Sequence, residues 1–109
     1  MKDSDYAFRL TLALVLEMES FCRQGGSRLL VASFPSGLGY DRQNELPARF
    51  LRALDERGGW TLDMSSRFRE LGLPPGQVAL DRTGHLSPNG HLRTCEILER
   101  EIESRRHLP

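Results

Sequence analysis

The stretch 81–91, DRTGHLSPNGH, sets Asp81 and His85 between a short apolar run, QVAL, and a helical pattern. An imidazole titrates near neutral pH and therefore exchanges protons under ordinary conditions. A carboxylate close to it favours the charged ring and can hold its orientation. Asp81 and His85 are thus candidates for the acid–base half of a catalytic site. The same residues also suit a polar loop, with Asp81 accepting backbone amides and Ser87 capping the helix that follows.

Other chemistry-bearing residues read less sharply. Asp81, His85, His91 and Cys95 are all zinc-ligand types, and positions 91 and 95 share a helix face. The step from His85 to His91 matches no standard ligand spacing, so neither a metal nor another cofactor is expected. Ser36 follows an apolar run and precedes glycine, which places a hydroxyl at a strand end. PSG reads more simply as the turn that ends the strand. Gly25-Gly26-Ser27 comes after a helix and before a strand, the reverse of the order in a phosphate-binding loop. Trp60 opens a strand beside a glycine pair and is read as a packing residue. His91 falls in a first helical turn and His107 in the tail. Cys22 and Cys95 form no metal motif and no disulfide framework, and both are expected to pack as small apolar groups.

Composition narrows the function classes. Fifteen basic and fifteen acidic side chains cancel over 109 residues. No basic stripe recommends nucleic acid or an anionic membrane surface as a partner. No apolar run reaches the length of about 18 residues that a membrane helix requires. FRLTLALVLEM is interrupted by Arg9 and Thr11. Asp3 and Asp5 stand where a signal peptide carries positive charge, so a cleavable leader is not expected.

The elements that must position these residues are legible from periodicity. Residues 5–24 read as a helix. Phe8, Leu12, Val15 and Cys22 share a face, widened by Ala7, Leu10, Leu14, Met18 and Phe21; Arg9, Glu17, Ser20 and Arg23 take the other side. A face this wide predicts burial against more than one neighbour. Gly25-Gly26 stop the helix, and Leu29 to Phe34 read as a strand covered on both faces. A second helix spans 46–57, with Asn44 or Glu45 at the cap and Pro47 in its first turn. Gly58-Gly59 end it, and WTLDM is a second strand. SSRFRELGL gives a short helix capped by Ser65 or Ser66 and closed by Gly72. QVAL reads as a third strand. Ser87 caps the final helix, which buries Leu92, Cys95, Leu98 and Ile102 and pairs Glu96 with Arg100 and Glu101 with Arg105.

Helices alternating with short strands predict a single α/β domain over 1–109, with a short parallel sheet of about three strands. Ligands of such sheets sit beyond the carboxyl ends of the strands. The three loops at 35–37, 63–65 and 81–85 then share one edge, and His85 lies on it.

DRTGHLSPNGHLRTCEILEREI looks like the C-terminal block of the SGNH (GDSL-type) hydrolase superfamily: an Asp a few residues before a His, a polar turn with Gly, then the last helix. SRLLVASFPS resembles a core strand of that superfamily, and WTLDMSSRFREL resembles the strand and short helix that follow it. The order of the three segments matches as well. The resemblance implies a flavodoxin-like three-layer α/β/α fold, here partial, and ester hydrolysis or acyl transfer by a Ser-His-Asp mechanism. It assigns His85 as general base and Asp81 as the orienting carboxylate.

No Gly-Asp-Ser and no Gly-x-Ser-x-Gly occurs in the sequence, and neither Asn44 nor Asn89 sits in a matching oxyanion block. The chain is therefore expected to correspond to the C-terminal half of such a domain and to be inactive alone. A carbohydrate or lipid acyl ester is the implied substrate. Self-association, or pairing with a missing N-terminal half, is expected from the open sheet edge. The alternative is a non-catalytic α/β module for binding or assembly. The superfamily includes exported and membrane-anchored members, so the compartment stays open.

Overall fold

The structure is a computed structural model and describes residues 3–35, 39–40, 42, 45–79 and 85–105, with side chains from residue 5 onward. The order is α1 (Asp3–Gln24), β1 (Leu30–Ser33), α2 (Leu46–Asp55), β2 (Trp60–Asp63), α3 (Met64–Glu70), α4 (Pro75–Val78) and α5 (Pro88–Arg105). The chain is mixed α/β, mostly helical. It divides into two compact units, one of Met1–Ser33 with Arg42–Asp63 and one of Phe34–Asp41 with Met64–Pro109.

The glycines that the sequence marks as helix stops do stop helices. At the end of α1, Gly26 takes φ +79°, and the Ser27 N–H donates to the Cys22 carbonyl at 2.8 Å. At the end of α2, Gly58 takes φ +82°, and the Gly59 N–H donates to the Leu54 carbonyl at 2.9 Å. A side chain at either glycine would meet the left-handed penalty that glycine avoids. The turn after α3 repeats the bond, from the Leu73 N–H to the Phe68 carbonyl at 3.1 Å.

In the first unit β1 and β2 run parallel, in the register Leu30 with Trp60, Val31 with Thr61, Ala32 with Leu62 and Ser33 with Asp63. The helix α2 makes the crossover that parallel strands require. Leu12 of α1 and Leu51 and Leu54 of α2 form the core, with Phe8, Val15, Leu16, Val31 and Phe50 against it. The rings of Phe8 and Phe50 meet edge to face at 5.6 Å.

One polar residue belongs to this buried face. Glu19 is buried on α1 and accepts from Arg23 Nη2 at 2.7 Å, with Arg28 at 3.9 Å. Arg23 also donates to the Gly58 carbonyl at 3.1 Å, tying the end of α1 to the turn after α2. By contrast Leu10, Leu14, Met18 and Phe21 are exposed. The wide apolar face expected for α1 therefore resolves into an inner stripe that packs and an outer one that does not.

In the second unit α3 begins at Met64, directly after β2, so Ser65 and Ser66 lie inside the helix instead of capping it. Ser65 is fully buried. Among the described residues no strand forms at QVAL. Pro75 and the three residues after it form one helical turn, and Ala79 makes an isolated antiparallel bridge to Leu86. Pro74-Pro75 explain the change: proline presets the helical φ at a first turn, and a four-residue apolar run has no periodicity to oppose it. Among the described residues the sheet has two strands, not three.

The buried side of α5 also differs from expectation. Gly90, Thr94 and Ile97 are buried, whereas Leu92, Cys95 and Ile102 are exposed. Glu101 is nearly buried and pairs with Arg67 at 3.0 Å as well as Arg105 at 3.7 Å. Glu96 pairs with Arg93 at 3.1 Å. Tyr40 tilts against Phe68 at 6.1 Å between ring centroids, and its hydroxyl donates to the Leu73 carbonyl. Burial raises the Tyr40 pKa above the ordinary tyrosine value, with the Arg69 guanidinium pulling the other way.

Two measurements check this packing. Glu19→Ala removes the acceptor shared by two guanidiniums. Because Arg23 is half exposed, the cost in urea denaturation is expected at about 1–2 kcal/mol. The raised Tyr40 pKa means that its contribution is complete below the ordinary tyrosine value and is lost as pH rises through the raised one. Stability is thus expected to fall above about pH 10, and Tyr40→Phe to remove that fall while costing about 1 kcal/mol at neutral pH.

Candidate functional site

The loop that carries His85 is closed at its base by backbone chemistry on both sides. Ala79 and Leu86 form the antiparallel bridge, and the Ser87 N–H donates to the Val78 carbonyl at 3.0 Å. The Ser87 hydroxyl donates to the Gln77 carbonyl at 2.7 Å and accepts the Gly90 N–H at 3.0 Å. Asn89 Nδ2 donates to the same Gln77 carbonyl at 3.3 Å. Ser87 is therefore both the N-cap of α5 and a staple to α4. The capping was legible from Ser87-Pro88; the staple was not.

A closer contact makes this arrangement possible. A Cβ on Gly90 would stand 2.2 Å from the Val78 carbonyl oxygen and 3.0 Å from its carbon. No L side chain fits there, so the first turn of α5 lies against the backbone of α4. The sequence does hold a signal for this. Glycine within a helix costs about 1 kcal/mol relative to alanine, so its presence in the first turn asks for a packing reason.

His85 sits one residue before the bridge, and its side chain is exposed. An exposed imidazole on a loop with a fixed base is reachable by a substrate or by a second catalytic group. Asp81, its expected partner, and Ser36, the hydroxyl considered as a nucleophile, lie outside the described residues. The expectation that His85 shares an edge with the strand ends rested on QVAL as a parallel strand. That support is withdrawn, because the bridge at Ala79 is antiparallel.

His91 and Cys95 are exposed on α5. Among the described residues no group of three His, Cys, Asp or Glu side chains converges. At the carboxyl end of the parallel pair, Ser33 faces Asp63 in register and both are half-buried. Among the described residues no helix is long and apolar enough to cross a membrane.

No protein-family model, curated protein or solved structure matches the chain.

The closure of the His85 loop predicts a contrast between two glycines. Gly90→Ala forces the Val78 carbonyl aside and is expected to cost about 2–3 kcal/mol in urea denaturation. Gly76, with no atom within 4 Å of its added Cβ, should accept alanine without loss. Equal effects at the two positions would contradict the close approach.

Proposed function

We propose that the chain carries the acid–base part of an SGNH-type ester hydrolase site, with His85 as general base and Asp81 orienting it. The observation that carries this reading is the His85 loop itself. An exposed imidazole precedes a bridge residue and a Ser-capped helix, in the residue order DRTGHLSPNGH. A serine hydroxyl is a weak nucleophile until a neighbouring imidazole takes its proton. The carboxylate then stabilises the imidazolium, and the ring returns the proton to the leaving group. The attacking serine comes from a Gly-Asp-Ser block that this sequence does not contain. The substrate class in this reading is an acyl ester of a carbohydrate or lipid.

A second reading is favoured by a separate observation. The outer stripe of α1, Leu10, Leu14, Met18 and Phe21, is exposed along the helix. Such a stripe suits an assembly face, covered by a second copy or by the segment that supplies the nucleophile. The two readings are compatible if the covering segment brings the serine.

The test joins this chain to an SGNH N-terminal half bearing the Gly-Asp-Ser block and follows hydrolysis of 4-nitrophenyl acetate. Turnover is expected in the joined protein, with His85→Ala lowering kcat/KM by about 10³–10⁴. Full activity with alanine at 85 overturns the catalytic reading. The chain alone should show no hydrolysis above its own His85→Ala control. Sedimentation of the chain alone should show self-association that Leu14→Glu weakens; a stable monomer removes the assembly reading.

A further inference from the structure

The first unit holds an apolar groove that the hydrolase reading does not use. It has a volume of about 550 Å³ and runs between Phe8 and Thr11 of α1, Val31 and Ser33 of β1, and Leu46 and Phe50 of α2. This lies within the range of roughly 300–1,000 Å³ typical of small-molecule sites. Among its lining side chains only Thr11 and Ser33 carry hydroxyls, and Thr11 already donates to the Ala7 carbonyl at 2.8 Å. Such a wall offers few polar partners to a ligand body and favours hydrocarbon.

A cation stands beside it. The guanidinium carbon of Arg49 lies 5.9 Å from the centre of the Phe8 ring, which forms one wall. Arg49 is exposed and makes no ion pair with a described residue. Hydrocarbon walls with an exposed guanidinium at one of them match a molecule with an apolar tail and an anionic head.

We propose that this groove binds the tail of a free, unbranched medium-chain carboxylate, with Arg49 pairing its head group. The preference for a hydrocarbon tail follows from the apolar walls, and the charge preference follows from Arg49. Each additional buried methylene then tightens binding by about fourfold, until the groove is full. The proposal does not depend on His85, because every residue of the groove belongs to the first unit.

Calorimetric titration of the whole chain with hexanoate, octanoate and decanoate tests this directly. Affinity is expected to rise about fourfold per methylene across the series. Arg49→Gln should weaken octanoate about fivefold, leave 1-octanol unchanged, and be rescued in part by Arg49→Lys. Thr11→Phe, which puts bulk into the groove from the exposed side of α1, should abolish binding of both; circular dichroism establishes that this variant is folded. Absence of binding, absence of a chain-length trend, or an equal loss of octanoate and 1-octanol in Arg49→Gln overturns the proposal. A protein that binds octanoate yet gives no His85-dependent hydrolysis in the joined form keeps the groove and loses the catalytic reading.

Discussion

The second unit depends on the space left by one missing side chain. With only hydrogen at Gly90, the first turn of α5 reaches the Val78 carbonyl, and every bond at the base of the His85 loop follows. Ser87 can then face two ways, capping its own helix while its hydroxyl reaches back to Gln77. Both strands of that loop base are thereby held without a sheet. A side chain on such a base samples fewer positions than one on a drifting base.

Much of the fold was legible because its signals are local. Gly26 and Gly58 end helices by backbone geometry that almost no other residue adopts, so their meaning survives without knowledge of the neighbours. The Ser87-Pro88 pair carries its own start signal in the same way. What was not legible depends on distant partners. QVAL has the apolar content of a strand, but the prolines before it impose a turn, and among the described residues it does not join the two-stranded sheet. The buried side of α5 rotates away from Leu92 and Ile102 because Gly90 and Thr94, not the larger apolar residues, permit close approach. Glu19 has its cations close by, Arg23 one turn on and Arg28 just past the helix, but it also lies against the Gly58-Gly59 turn, which is distant in sequence.

The candidate site shows the same division. His85 as a candidate and the helix after it follow from a short segment. The geometry that would complete a catalytic pair does not, because Asp81 lies outside the described residues and the strand argument for a common edge has gone. The two faces of α1 sharpen the point. Its inner stripe packs on α2 and β1, whereas Leu10, Leu14, Met18 and Phe21 are apolar and exposed. An amphipathic helix ordinarily turns one stripe to its neighbours, and α1 carries a second apolar stripe beside the one that packs.

Trp60 is the sole tryptophan of the chain and opens β2 opposite Leu30. Its indole therefore stands at the point where two distant stretches of chain first meet as parallel strands. Parallel pairing across such a separation is slow to form compared with the helices, because the loop must close before any contact is gained. The protein thus carries a built-in optical reporter of that strand pairing, one that needs no added dye.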